Sequence, residues 1–369
     1  MGELFAPDEV ERGRRYHRPR YVSSLAEFAV SVVVLAVLAF TRIGDALLPD
    51  WAWWAQALVY PPIVLGVLAL ALLPIGYWRG FVHERRWGLT TQTPRGWFVD
   101  RGKSFLVAVV ISTSLYVGFV ALARATEAWP LIAAPLAALV VVVLSFIAPV
   151  VLEPIFNKFK PVQDEDLVAD LRGLADRAGV PVRDVLVADA SRRTTKSNAY
   201  VSGFGATRRV VVFDTMLDRS EPAELRAVLA HELAHRRYRD VLNFTLIAVA
   251  AAIGAVLLLW AILGSDARDP RNFPLVVLVL QLVQPPLFAL LAAISRRSEY
   301  RADRFALLLT RDPGALERAF RSLVETNVAD LDPPRVVYYL TYTHPTVPER
   351  LEAIRRTATV EGLRGEEAA

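Results

Sequence analysis

The chain has 369 residues, of which 54% are hydrophobic, and a formal net charge of +4. Its mean hydropathy of +0.34 is higher than that of an ordinary soluble globular protein. The absence of cysteine excludes disulfide bonds and thiolate coordination, so any bound metal must be held by histidine and carboxylate side chains.

Long apolar segments account for the high hydropathy. Five of them lack Asp, Glu, Lys and Arg, and each is long enough to cross a bilayer core, which takes about 20 residues. These segments are 51–78, 104–123, 128–152, 241–265 and 272–295. A sixth candidate, 21–41, is interrupted only by Glu27. We expect it to be a retained membrane helix, because an arginine-rich arm precedes it and no signal-peptide cleavage site follows it.

The basic residues predict the orientation of these six spans. Five arginines lie in the N-terminal arm and six basic residues lie in the loop 79–103, whereas the opposite loops carry few. The positive-inside rule therefore predicts a multi-pass cell membrane protein whose two termini are cytoplasmic. The large polar segments 153–240 and 296–369 then share the cytoplasmic side, as an active site built from both would require.

The first polar segment has the pattern of a small α/β unit. We expect a helix at 164–178, a short strand at 185–187 and paired strands at 197–204 and 208–213 joined around Gly205. Ser220 is the expected N-cap of the next helix, which can continue into the fifth span. The second polar segment is predicted to be mostly helical.

The motif H-E-x-x-H occurs once, at residues 231–235. On a helix, His231 and His235 lie on the same face and can reach one metal ion, and Glu232 can approach a water bound there. This arrangement is typical of zinc hydrolases that cleave amide bonds. The alternative is a helix carrying two solvent-facing histidines.

A catalytic zinc ion normally has three protein ligands. The best candidate for the third ligand is Glu299, which lies four residues before Asp303 on one helical face. Asp303 would then hydrogen-bond the far nitrogen of a ligand histidine and fix its tautomer. The alternative is a solvated amphipathic face, since arginines surround the pair.

The three remaining histidines are weaker candidates. His344 lies in a proline-rich turn before a helix, where it is either a structural residue or a donor to the oxyanion of a tetrahedral intermediate. His17 and His83 lie in basic segments, and we expect both to be solvated.

Several motifs, in this order, resemble the Ste24-type CAAX prenyl proteases, which are integral membrane zinc metallopeptidases of the M48 class. The main ones are HELAH at 231–235, S-R-R-S-E-Y-R-A-D at 295–303 and T-H-P-T-V-P-E-R-L at 343–351. Similar segments occur at 84–93, 153–161, 196–204 and 209–215. The resemblance therefore extends from about residue 20 to about residue 356.

The resemblance implies that one Zn²⁺ ion is bound by His231, His235 and Glu299. It also implies that Glu232 is the general base, that Asp303 supports a ligand, and that His344 stabilises the transition state. Family members enclose the zinc ion in a water-filled chamber whose walls are the membrane helices.

The resemblance also concerns the substrate. It implies that Asn198 and Tyr200 lie on an edge strand to which the substrate peptide adds as a further strand. The expected partners are a peptide or membrane-anchored protein, prenylated or not, and the lipid bilayer, with no nucleic acid. The oligomeric state is left open. The family usually has seven spans and this chain six, so that the first family helix has no counterpart here.

The sequence thus predicts a mainly α, polytopic helical membrane protein with about six spans and a small cytoplasmic α/β zincin-like catalytic domain split by two spans. We expect an N-terminal membrane domain at 1–152 with four spans and a peptidase domain at 153–369 with two. The predicted activity is zinc-dependent endopeptidase action of the CAAX-protease type. The alternatives are a quality-control protease of the HtpX type and a non-catalytic membrane scaffold.

Overall fold

The structure is a computed structural model that describes residues 4–48, 50–203 and 205–363. Phe204, the last residue of one predicted strand, and residues 364–369 of the predicted loose tail lie outside the described residues.

The N-terminal half is built from helices. They are α1 (Pro7–Phe40), α2 (Arg42–Ala46), α3 (Trp53–Tyr77), α4 (His83–Arg86), α5 (Pro94–Ala125), α6 (Trp129–Ile147) and α7 (Glu153–Phe156). Short π-helical turns join α3 to α4 and α6 to α7. Proline residues lie inside α3 and α6 without ending either helix.

The C-terminal half combines a small sheet with further helices. Its strands are β1 (Phe159–Pro161), β2 (Asp184–Ala188), β3 (Ala199–Ser202) and β4 (Arg209–Phe213). Its helices are α8 (Glu165–Arg177), α9 (Asp214–Leu217), α10 (Pro222–Arg237), α11 (Asp240–Leu263), α12 (Phe273–Thr310), α13 (Pro313–Asn327), α14 (Arg335–Thr341) and α15 (Val347–Val360).

Six helices in the described ranges are long and apolar enough to cross a membrane. They contain α1, α3, α5, α6, α11 and α12, and each of them overlaps one of the six predicted spans. A hydrogen bond from the Gln281 amide to Ser31 Oγ (2.7 Å) joins α12 to α1. Polar side chains inside spans commonly link neighbouring helices in this way.

The sheet has the order β1-β2-β4-β3. The outer pairs β1–β2 and β4–β3 are antiparallel, whereas the central pair β2–β4 is parallel. Strand β3 is therefore an edge strand with no strand paired on its outer side, where the Arg236 guanidinium donates to the Val201 carbonyl.

Two apolar clusters organise the molecule. One includes residues of the sheet, α8, α10, α13 and α15, together with Leu4 and Phe5 from the N-terminal arm. The other joins all six spans, and its members lie at the ends of the spans that are remote from the sheet. We call these the remote ends.

The structure corrects two predictions about α10. The N-cap of α10 is Glu221 rather than Ser220, because a capping box links Glu221 and Glu224. This helix does not continue into the fifth span: α10 ends at Arg237, and Arg239 adopts a left-handed conformation before α11 begins.

The expectation that His17 and His83 are solvated is wrong. His83 is 4% exposed, and its Nε2 lies 2.9 Å from the carbonyl oxygen of Tyr16. His17 is partly buried, and its Nε2 lies 2.9 Å from the carbonyl oxygen of Val328. Both rings dock segments that are distant in the sequence, and such docking leaves no local sequence signal.

Candidate metal centre

The H-E-x-x-H motif lies in the second half of α10. Pro222 begins this helix with a fixed φ, and the side chain of Glu224 accepts a hydrogen bond from the Glu221 N–H (3.3 Å). The buried residues of α10 pack against α12 and α13. This packing holds His231 and His235 on the face directed toward α12.

Helix α12 supplies the carboxylates. It crosses the membrane region and continues without interruption to Thr310, so that Glu299 and Asp303 lie one turn apart beyond the apolar segment 272–295. Glu299 is 2% exposed and Asp303 is 1% exposed. Carboxylates are seldom this deeply buried unless charged or hydrogen-bonding groups are close to them.

The three predicted ligands meet at one point. The Nε2 atoms of His231 and His235 are 3.1 Å apart, and Glu299 Oε2 and Oε1 lie 3.2 and 3.3 Å from these nitrogens, respectively. A tetrahedral zinc site with bonds of about 2.05 Å has ligand–ligand edges of about 3.3 Å. The spacing of the three donors therefore fits one tetrahedral ion.

The hydrogen-bonding state of the donors also fits a bound cation. Each histidine directs its Nδ1 at a carboxylate: Asp303 Oδ1 lies 2.9 Å from His231 Nδ1, and Asp240 Oδ2 lies 2.9 Å from His235 Nδ1. If the two Nδ1 atoms carry the protons, the two Nε2 lone pairs face each other. Glu299 Oε2 is buried without a hydrogen bond in the described residues, and a cation would satisfy all three donors.

Burial and neighbouring charges shift the pKa values of His231 and Glu232. Burial and the Arg350 charge lower the pKa of His231, but hydrogen bonds to Asp303 and Glu299 outweigh them and raise it to about 9. Burial raises the pKa of Glu232, an effect that the nearby histidines oppose. The raised pKa favours the imidazolium form of His231 without a metal ion, so binding of the ion is coupled to release of the proton from Nε2.

Arg350 is a buried cation behind the metal site. It is 7% exposed and forms two hydrogen bonds to Asp303, from Nε to Oδ2 (2.8 Å) and from Nη2 to Oδ1 (2.6 Å). Its Nη2 also lies 3.4 Å from Glu299 Oε2. Arg350 therefore compensates part of the negative charge of two buried carboxylates.

A cavity of about 370 Å³ opens beside the site. Its lining includes His231, Glu232, His344 and Arg350 on the metal side and apolar residues of α13 on the other. His344 Nε2 lies 3.4 Å from Glu299 Oε1, and its side chain is 57% exposed. Glu232, which can act as a base, and His344, which can donate a hydrogen bond, therefore border the same solvent-accessible cavity.

The edge strand β3 reaches the same cavity at one end. Asn198 and Ala199 line the cavity, whereas Tyr200 is not among its lining residues. The Tyr200 hydroxyl lies 3.4 Å from Glu153 Oε2, and its ring packs against Phe213. Of the two predicted substrate-contacting residues, the structure brings only Asn198 to the cavity.

Two residues of the site, Asp240 and Arg350, were not predicted from the sequence. Asp240 is 3% exposed and approaches His235 because Arg239, at φ 59°, turns the chain back between α10 and α11. Arg350 lies inside the quoted motif 343–351, but no role was assigned to it. The only sequence signal for Asp240 is a carboxylate at the first position of an otherwise charge-free span.

The sequence and the fold both match known proteins. The family model of peptidase family M48 matches residues 161–358, which is more than half of the chain. The chain belongs to peptidase family M48. A second model, described as the CAAX prenyl protease N-terminal region with five membrane helices, matches residues 2–158. The described part of that region holds four candidate spans.

Individual M48 relatives are similar over most of their length. CAAX prenyl protease 1 of Saccharomyces cerevisiae is 30% identical over 332 residues, covering 81% of this chain and 72% of the relative. The uncharacterized metalloprotease YhfN of Bacillus subtilis is 28% identical over 299 residues, covering 78% and 70%. The fold matches the crystal structure of Ste24p from S. mikatae with a TM-score of 0.77 at 24% identity, covering 95% and 89%.

These matches confirm the main predictions. The chain is a polytopic membrane metalloprotease of the Ste24 type in the M48 family. M48 peptidases use zinc in general, and the His-His-Glu site agrees with that use. The HtpX-type alternative and the non-catalytic scaffold are not favoured, because the N-terminal half matches the CAAX prenyl protease model.

Proposed function

We propose that this M48 protease binds one Zn²⁺ ion through His231, His235 and Glu299 and hydrolyses peptide bonds in the adjacent cavity. The observation that carries this proposal is the spacing of 3.1–3.3 Å among the donors of these three side chains. A bound zinc ion polarises the scissile carbonyl and lowers the pKa of a bound water.

The proposed base is Glu232. Its side chain borders the cavity next to His231, where it can take a proton from the attacking water and deliver it to the leaving amine. Burial raises its pKa, which suits a carboxylate that accepts and then donates a proton. Asp303 and Asp240 hold the histidines in the tautomer that leaves Nε2 free for the metal.

Two cationic or donor groups suit the developing oxyanion. His344 extends into the cavity from the turn before α15, and Arg350 lies behind Glu299. We assign the oxyanion contact to His344, because Arg350 is already paired with Asp303. A fixed donor at this point stabilises charge that develops only in the transition state.

The proposed substrate is a peptide segment that pairs with the outer side of β3 at Ala199, before the Val201 carbonyl to which Arg236 donates. The Phe213 N–H bonds to the Asn198 carbonyl (3.0 Å), so alternate residues of β3 face β4 and Ala199 directs its N–H and C=O to the open side. Because the yeast relative is named CAAX prenyl protease 1, we propose C-terminal processing of membrane-anchored proteins. Tyr200 would support this strand through Glu153 rather than contact the peptide.

The decisive experiment replaces Glu232 by glutamine. We expect kcat to fall by about 10²- to 10⁴-fold, because the proton acceptor is lost, while one zinc ion per chain remains. The measurements are peptide cleavage and metal analysis of the purified protein. Glu352→Gln, an exposed substitution on α15, is the matched control and should leave both unchanged. Full activity in Glu232→Gln would refute its role as base.

We propose that the site is cytoplasmic and that residues 1–152 and 153–369 form membrane and peptidase domains. Support comes from the basic loop 79–103 on the side of the peptidase sheet. Because the chain lacks cysteine, single cysteines can report the orientation. An impermeant thiol reagent should label Arg95→Cys only from the cytoplasmic side and Glu127→Cys only from outside. The reverse pattern would invert the topology.

A further inference from the structure

A second buried polar cluster lies outside the metal centre and is centred on Glu84. We call Tyr16, Arg20, Glu84 and Lys196 the Glu84 cluster. Tyr16 is 1% exposed and Glu84 is 8% exposed. The Tyr16 hydroxyl donates to Glu84 Oε1, Arg20 pairs with the same oxygen, and Lys196 Nζ lies 2.8 Å from Glu84 Oε2. Lys196 Nζ also donates to the Tyr16 hydroxyl (3.0 Å).

The cluster joins three parts of the chain that are distant in sequence. Tyr16 and Arg20 belong to α1, and Glu84 belongs to α4, which follows the second span. Lys196 belongs to the segment that leads into β3. The cluster therefore links the membrane helices to the strand that borders the candidate site.

Backbone pairing extends this link. After α4, the Thr91 N–H donates to the Arg193 carbonyl (3.2 Å), and the Thr195 N–H donates to the Leu89 carbonyl (3.3 Å). The Thr194 hydroxyl also donates to the Leu89 carbonyl (2.9 Å). Residues 89–91 thus run beside residues 193–195. Lys196 follows the second of these segments directly in the chain.

The residues between Lys196 and β3 are held by side chains. Asn327 of α13 both accepts from the Ser197 N–H (3.0 Å) and donates to the Ser197 carbonyl (3.1 Å). The Thr215 hydroxyl donates to the Lys196 carbonyl (2.7 Å). The polar backbone groups just before β3 are therefore occupied, and the first strand residue with its N–H and C=O on the open side is Ala199.

We propose that Glu84 is a positioning residue for substrate binding: through Lys196 it fixes the start of β3 relative to the metal site. This inference rests on the proposed function. Main-chain pairing along an edge strand gives affinity only if the strand is already ordered, because ordering it on binding would cost free energy. Glu84 itself touches neither the metal ligands nor the cavity lining.

The length of the peptide distinguishes positioning from a general effect on folding. A longer peptide pairs with the positioned edge at Ala199, whereas a shorter peptide with the same scissile bond lacks the residues that would pair there and uses only the metal site and the α13 side of the cavity. Loss of uniform binding raises KM and leaves kcat unchanged. A general loss of folded protein lowers activity toward both peptides by the same factor.

The experiment compares both peptides in Glu84→Gln and Lys196→Met. We expect each variant to raise the KM of the longer peptide by about tenfold, with kcat and the KM of the shorter peptide within about twofold of wild type. The double variant should be no worse than either single variant, because the pair acts as one unit. Lys196→Arg should restore most of the affinity by keeping the charge.

The matched control is Glu27→Gln. Glu27 of α1 pairs with Arg79 of the π-helical turn after α3 (2.6 Å), and the side-chain bonds of the two residues in the described part of the chain go to α1 rather than to the segment 193–198. This variant should keep wild-type KM for both peptides. Equal rises in KM for the two peptides, or a lower kcat at unchanged KM, would overturn the positioning role. If Glu84→Gln does not fold, Lys196→Met and its comparison with Lys196→Arg decide the question.

Failure of the inference is distinguishable from failure of the proposed function. If wild-type protein cleaves neither peptide, the proposed function fails. Binding of the longer peptide to Glu232→Gln, measured by fluorescence anisotropy, requires no turnover. Adding Glu84→Gln in that background should weaken binding by about tenfold, in line with the expected change in KM. Unchanged binding would contradict the positioning role.

Discussion

The two ends of the membrane helices differ in the share of buried charged groups that hold them together. At the remote ends, the spans meet in a mainly apolar cluster that includes Leu35, Tyr60, Tyr116, Trp129 and Phe273. Its two tyrosines each donate one hydrogen bond to a backbone carbonyl. At the other ends, near the peptidase sheet, the contacts include the Glu84 cluster and the buried carboxylates and histidines of the metal site. Ion pairs at the remote ends, such as Arg268–Glu127, are exposed.

The difference reflects what each end has to do. Apolar packing is non-directional and tolerates small displacements, so it suffices where helices only need to meet. Hydrogen bonds and buried charges are directional and fail when their partners move, so they suit an end that must hold ligands and an edge strand in fixed positions. Stability and function should therefore respond separately to substitutions at the two ends.

The largest expected effect on stability is at the remote ends. Trp129 is 3% exposed and packs edge-to-face on Phe119, so Trp129→Ala leaves a cavity. We expect the free energy of unfolding in detergent to fall by about 3–5 kcal/mol, with KM and zinc content unchanged. Thermal unfolding measures the stability, peptide cleavage measures KM, and metal analysis measures the zinc content. A change in KM at a temperature where the variant is folded would contradict the separation.

An intermediate effect is expected at the metal site. Asp240→Asn weakens the contact that orients His235, and zinc affinity should fall by about 10- to 100-fold. Competition with a chelator measures the affinity, and saturating zinc should restore most of the activity. Asp170→Asn is the matched control. Asp170 lies on α8 and pairs with Arg226, which lies on α10 like His235 but away from the metal site. Unchanged zinc affinity in Asp240→Asn would refute the orienting role.

The smallest effect is expected for the exposed ion pair. Glu127 is 86% exposed, and its pair with Arg268 is screened by solvent. Glu127→Gln should change neither the thermal midpoint nor the KM of the longer peptide, because such surface pairs contribute little. A rise in KM as large as that in Glu84→Gln would show that the remote ends also control the substrate strand.

Sequence patterns predicted the elements whose signal is local. The six spans follow from charge-free segments of sufficient length, and the pairs His231–His235 and Glu299–Asp303 follow from helical spacing. The structure places all four side chains together, whereas the spacing predicted only that each pair shares one face of its helix. The order of the family motifs predicted that α10 and α12 contribute to one site, even though two spans separate Glu299 from His235 in the sequence.

The remaining features depend on how distant segments dock. Asp240 reaches His235 only because Arg239 adopts a left-handed conformation, which is uncommon for a residue other than glycine and has no pattern in the sequence. The burial of His17 and His83 depends on contacts with Val328 and Tyr16. Hydrophobic periodicity reports which face of an element is apolar, but not which polar groups meet when elements from different parts of the chain pack.

The continuity of α12 sets the height of the metal site above the membrane. The apolar segment ends at residue 295, and Glu299 follows four residues later in the same unbroken helix. At a rise of 1.5 Å per residue, this ligand lies about 6 Å along the helix axis from the end of that segment. If the substrate is lipid-anchored, as we propose, it needs only a few extended residues between its anchor and the bond to be cleaved, and a bond far from the anchor gains nothing from the tether.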